Sequence, residues 1–301
     1  MAKYLIKKEN EVINTAPAGL SVCSPVKRNS FLAPEGLSNS RRFEMHLVKR
    51  LHSLIVFFLI VTCGPFGVFA QNDSASFRNS QLSYGHVAES WKKYNDTLGR
   101  EFKKKNIAYP PKDIYLRAFK SQNELELWAR NTEAGEYKLI KTYRVCSISG
   151  SLGPKRAQGD RQVPEGFYFI EEFNPASEYY LSLRLNYPNF SDQVMGKEKL
   201  GGDIYIHGGC VTVGCLPMTN EGIQEIYTIC LNAKLNGQQN IPVHIFPTRL
   251  TKSGINYLNR EFPKDMVRQQ FWSELKAGYD YFERTHKLLP VMYAPDGKYV
   301  N

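Results

Sequence analysis

The stretch from Gly201 to Met218, GGDIYIHGGCVTVGCLPM, constrains this chain more than any other. Asp203-Ile204-Tyr205-Ile206 is β-prone and alternates in size, so it reads as a short strand. The strand ends at His207, and Cys215 follows eight positions later, with Gly208, Gly209 and Gly214 between them. Glycine permits positive φ and lets a substrate approach the main chain closely. The chain can therefore leave the strand, turn tightly and bring a thiol within reach of an imidazole. Such a pair supplies a nucleophile and its base, and free amides in the turn can hold an oxyanion. A helix starting near Asn220 would set its N-terminal amides just behind Cys215 and favour the thiolate.

The rest of the pattern is mainly β. Ile114–Phe119 reads as one strand, and Glu124–Ala129 alternates with period two after a Ser121-Gln122-Asn123 turn. Residues 137–149 hold another strand or two, and Phe167–Ile170 one more. In Tyr179–Tyr187, Leu181, Leu183 and Leu185 share one face, and Ser182, Arg184 and Asn186 the other. A helix over Asn220–Ala233, capped by Thr219 or Asn220, precedes a last strand at Pro242–Phe246. Residues 150–166 are almost free of hydrophobics, and a loop of that length is usually functional or mobile. The spacing assigns 71–111 to a polar lead-in with a helix near Val87–Phe102, and 112–248 to the β-rich domain. From 249 to 301 it predicts a helical extension whose aromatic rings pack on the β core.

Met45–Gln71 has the layout of an export signal with an internal start. Lys49, Arg50 and His52 form a basic region, Leu54–Val61 an apolar one, and Val68-Phe69-Ala70 a cleavage site. Residues 1–44 then read as a misassigned upstream extension. A retained anchor in 45–70, with membrane association, and lipidation at Cys63 are the alternatives to cleavage. Either way the domain is exported to the periplasm or cell envelope. Net charge is +10, but residues 71–301 carry only 30 Lys and Arg against 25 Asp and Glu. No basic stripe interleaved with aromatics occurs, which argues against a nucleic-acid partner.

Of six cysteines, Cys146, Cys210, Cys215 and Cys230 lie beyond the signal, too few for a disulfide-built scaffold. Cys215 could instead be a buried structural residue or half of a disulfide or redox pair with Cys210. His207, Cys210 and Cys215 could also supply three zinc ligands, although their spacing matches no common zinc motif.

Four blocks in order carry a resemblance: GPKRAQGDRQVPEGFY at 153–168, NPASEYYLSLRLNYPN at 174–189, IHGGCVTVGCLPMT at 206–219 and FWSELKAGYDYF at 271–282. With these, the chain resembles the L,D-transpeptidase (YkuD-like) catalytic domain family, in its YafK-like branch. The resemblance implies a β-sandwich-like catalytic domain with one or two short helices and a helical C-terminal extension. It implies cysteine acyl transfer on peptidoglycan stem peptides, with no cofactor and no metal. Cys215 would be the nucleophile and His207 the proton acceptor and donor. The amides of Gly214 and Cys215 would form the oxyanion hole. Thr212, Gly208 and Gly209 would contact substrate, and Lys155, Asp160 and Glu165 would lie near the cleft. The chain departs from the broad family pattern at Val213, Pro217 and Val163, where a second His, an Arg and a Thr are usual. Cross-linking to an amine and hydrolysis by water both remain open, as does a cell-wall-binding protein of the same fold without turnover.

Overall fold

The computed structural model describes residues 67–196 and 199–300. The upstream extension, most of the export signal, Cys23 and Cys63 lie outside the described residues. Two lead-in helices, α1 (Gly67–Leu82) and α2 (Gly85–Lys104), precede strands β1 (Asp113–Phe119), β2 (Glu124–Arg130), β3 (Lys138–Arg144), β4 (Gly166–Asn174) and β5 (Ser182–Leu185). After α3 (Phe190–Met195) come β6 (Tyr205–His207), β7 (Leu216–Pro217), α4 (Asn220–Leu235) and β8 (Ile241–Phe246). The tail holds α5 (Lys252–Glu261), α6 (Met266–Thr285) and a small ribbon of β9 (Met292–Tyr293) and β10 (Tyr299–Val300).

The first eight strands form one sheet in the order β3-β2-β1-β8-β4-β5-β6-β7. Pairing is antiparallel except for β1 with β8 and β6 with β7. The period-two pattern of the central strands explains how both faces are used. Ile114, Leu116 and Ala118 of β1, with Val243 and Ile245 of β8, enter the large core, where Ile223, Ile226 and Leu231 of α4 also lie. Phe119 and Phe246 point the other way, into a second cluster with Phe271, Trp272, Leu275 and Tyr279 of α6. Each fully buried aliphatic side chain contributes roughly 1.5–3 kcal/mol relative to exposure. The aromatic tail is thus the cover of the sheet's second face.

The lead-in is braced against α4. Val87, Leu98 and Phe102 of α2 are buried in the large core. The Tyr227 hydroxyl donates to Gln81 Oε1 at 2.5 Å, and Asn232 Nδ2 donates to Asn95 Oδ1 at 3.1 Å. Helix α1 was not apparent in the polar run GVFAQNDSASFRNSQL, which has no clear apolar stripe.

The 150–166 loop is anchored rather than loose. Lys120 Nζ, in the short turn after β1, donates to the carbonyls of Ser151, Gly153 and Val163 at 2.9–3.0 Å. It also pairs with Glu165 Oε1 at 2.9 Å, both side chains being fully buried. Glu165 in turn accepts from the Gly153 amide at 2.6 Å and from Trp272 Nε1 at 2.7 Å. One ion pair thereby ties the loop to both the sheet and the tail helix.

Candidate active site

Strands β6 and β7 set the site. Ile206 partners Leu216 and His207 partners Pro217, and both Ile206 and Leu216 are fully buried in the large core. Side chains alternate along a strand, so Tyr205, His207 and Cys215 must face the opposite side. There they line one cavity of about 610 Å³. The parallel return in so few residues needs glycine. A Cβ on Gly208 would lie 2.7 Å from Asn220 Oδ1 and 2.8 Å from the Tyr179 carbonyl, and Gly214 has φ +110°.

The His207 ring is oriented by backbone. Its Nδ1 donates to the carbonyl of Gly208 at 2.6 Å, which leaves Nε2 as the acceptor. Tyr179 packs on the ring with centroids 4.7 Å apart. Burial lowers the His207 pKa below its usual value, and the Gly208 carbonyl offsets part of that. The Cys215 thiol donates to the Asp203 carbonyl at 3.5 Å. Burial raises its pKa, against a lowering hydrogen bond from the Tyr205 backbone.

Burial thus works against the thiolate that helix amides were expected to favour. Strand β7 separates Cys215 from α4, and Thr219 caps that helix by accepting from the Gly222 amide at 3.0 Å. Burial instead pushes both groups toward their neutral forms, raising the Cys215 pKa and lowering that of His207. Alkylation of Cys215 by iodoacetamide should accordingly be slow at pH 7 and accelerate as pH rises past 9, as mass spectrometry can follow. A thiolate–imidazolium pair would instead show fast labelling that is flat through neutrality.

The two amides assigned to the oxyanion hole are occupied at rest. Gly214 N donates to Ser149 Oγ at 2.7 Å, and Cys215 N donates to Thr212 Oγ1 at 2.8 Å. The Thr212 hydroxyl donates in return to the Cys215 carbonyl at 2.8 Å. Thr212 lines the cavity. Gly209 gives its amide to Asn220 Oδ1 at 3.0 Å. Lys155 and Asp160 pair with each other at 2.5 Å, and the Asp160 carboxylate gathers the amides of Arg156, Ala157 and Gln162. They shape the loop whose Gln162 carbonyl comes 3.1 Å from the Cβ position of Gly214. Glu165 is sealed beneath that loop by Lys120 and Trp272, and the cavity is lined by neither it nor Lys155 or Asp160.

Cys210 is bonded to Cys146, with Cα atoms 5.2 Å apart. The disulfide removes Cys210 from both the proposed redox pair with Cys215 and the three-ligand zinc set. Cys215 is a free thiol, and Cys230 is free but fully buried, where burial drives its pKa far up. Sequence reasoning missed Ser149, Asn174, Tyr179, Ser182 and Asp203 as parts of the site or its support. For Ser182 and Asn174 what was missing is the strand register, in which Ser182 stands opposite His207 and Asn174 opposite Ser182.

The family model for the L,D-transpeptidase catalytic domain matches residues 113–245. Two curated relatives, from Escherichia coli strains K12 and O157:H7, are each named "Putative L,D-transpeptidase YafK". Each is 38% identical over 205 residues, spanning 67% of this chain and 78% of the relative. Among solved structures, the helical cell shape determining protein Pgp2 from Campylobacter jejuni is 19% identical, covering 70% of this chain and 82% of that one. Its TM-score is 0.38, too low to bear on the assignment. The domain match, which spans the strands and turn that carry His207 and Cys215, together with the two relatives makes this chain a member of the L,D-transpeptidase family.

Proposed function

We propose that the protein is an exported cysteine acyltransferase acting on the peptide stems of peptidoglycan. One observation carries this reading: a free thiol and an imidazole with an open Nε2 face the same cavity. The Cys215 sulfur attacks an amide carbonyl while His207 Nε2 takes the thiol proton. The tetrahedral intermediate collapses as His207 returns that proton to the leaving amine, and a thioester forms on Cys215. A second amine or a water then attacks the thioester, His207 accepts the attacker's proton, and the thiolate leaves and is reprotonated. An amine yields a cross-link and water yields hydrolysis.

The disulfide between Cys146 and Cys210 supports a place outside the cytoplasm, because such bonds persist in oxidising compartments. The export layout of residues 45–70 points the same way. Among the described residues no helix is long and apolar enough to cross a membrane.

A second reading, a cell-wall-binding protein of the same fold without turnover, is favoured by the two occupied amides. Incubation with muropeptides from isolated sacculi separates the two. A mass increase on Cys215 equal to an acyl-peptide, absent in Cys215→Ala, is the expected result. Retention on sacculi with no adduct and no released product would establish the binding protein instead.

A further inference from the structure

One side chain around the cavity is buried, polar and without a partner. Ser182 is 2% exposed. Its neighbours Leu181 and Leu183 fill the large core, so Ser182 projects from the opposite face. Among the described residues its hydroxyl has no hydrogen-bond partner. No sealed side-chain nitrogen or oxygen is left unpaired there, so the hydroxyl must open onto the cavity that Ser182 lines.

The strand register explains what it stands beside. Asn174 of β4 is opposite Ser182 of β5, which is opposite His207 of β6. Directly opposed residues project from the same face with Cβ atoms about 4.5–5.5 Å apart. All three line the cavity. They form a polar row of amide, hydroxyl and imidazole running across three strands. Asn174 Oδ1 is taken by the Ala176 amide at 3.1 Å, which leaves the Asn174 NH2 group free. The row therefore has donors to spare next to the base and calls for an oxygen acceptor on the ligand.

Charge decides which oxygen. The cavity wall holds two carboxylates, Glu178 and Asp203, and no lysine or arginine. Among the described residues neither carboxylate is in an ion pair. That field repels a carboxylate and tolerates a neutral carbonyl, so it works as a filter as well as a clamp.

We propose that Asn174 and Ser182 form a subsite that hydrogen-bonds a neutral peptide carbonyl, one strand over from His207. The subsite selects peptides extended by an amide over those that end in a free carboxylate beside the reacting bond. This rests on reading the cavity as an acyl-transfer site.

The test uses the full chain with two probes, a stem tetrapeptide with a free terminal carboxylate and its C-terminal amide. Acylation of Cys215 is followed by intact mass. The amide should acylate the wild-type protein the faster of the two. Ser182→Ala and Asn174→Asp should each raise KM for the amide about five- to tenfold, the effect of one lost hydrogen bond. For Ser182→Ala the pH profile of kcat should not move, because His207 is untouched and no charge is added. Asn174→Asp keeps the shape of the side chain and serves if Ser182→Ala fails to fold. Equal acylation by the two probes, or an unchanged KM in the variants, overturns the subsite and leaves acyl transfer standing. Acylation by neither probe overturns both.

Discussion

Cys215→Ala is expected to lower acyl transfer by about 10⁴-fold or more, the scale seen when a nucleophile is removed from a coupled pair. His207→Ala should cost about 10²–10⁴-fold, the share of a general acid–base group. The informative result is the double variant, which should be no worse than Cys215→Ala alone. Without a sulfur to deprotonate, the imidazole has nothing left to do. Geometry argues for this dependence: Nδ1 is committed to the Gly208 carbonyl, so Nε2 is the one nitrogen able to exchange a proton with the thiol. Initial rates on a muropeptide, measured for the three variants, check it. Strict multiplication of the two single losses would mean that His207 acts independently of Cys215.

The second large effect concerns stability. Lys120→Met should destabilise the fold by about 3–5 kcal/mol, because Glu165 would keep a charge with no partner in a site closed to water. Three loop carbonyls would lose their donor at the same time. Lys120→Met combined with Glu165→Gln should recover part of the loss, since it removes the stranded charge and keeps acceptor oxygen for Trp272 or Gly153. Denaturant melts of the two variants decide this. Equal destabilisation in both would show that the lost carbonyl contacts dominate and that the charge matters little. Burial lowers the Lys120 pKa, and the Glu165 carboxylate opposes that shift.

Much of the architecture was legible because strand alternation is a local signal. Leu181, Leu183 and Leu185 read as one face and are fully buried together. The pairing of His207 with Cys215 on one cavity followed from glycine and spacing, and the structure adds the parallel register that achieves it. What stayed hidden depends on residues distant in sequence. Glu165 looked like a loop carboxylate available to ligand, but its surroundings come from Lys120, far before it in the chain, and Trp272, far after it. Ser182 looked like an ordinary solvent-facing residue of an alternating strand. Only the register with β4 and β6 shows that its outward face is the cavity wall. The resting thiol was expected to be acidified by a helix. That helix does begin at Asn220, but burial of the thiol, which depends on residues distant in sequence, pulls its pKa the other way.

The link between Cys146 and Cys210 has a consequence for how the protein matures. Segment 146–149 is stitched to the nucleophile's turn three times: by the disulfide, by the Cys146 amide donating to the Pro217 carbonyl at 2.8 Å, and by Ser149 at Gly214. Cys210 and Cys215 are only five positions apart, and joining either to Cys146 closes a loop of nearly the same length. Chain entropy therefore hardly distinguishes the two products. One product yields an ordered site with a free nucleophile, and the other consumes the nucleophile. The choice falls to the folded turn, which sets Cys210 within 5.2 Å of Cys146, Cα to Cα, and leaves Cys215 facing the cavity as a free thiol.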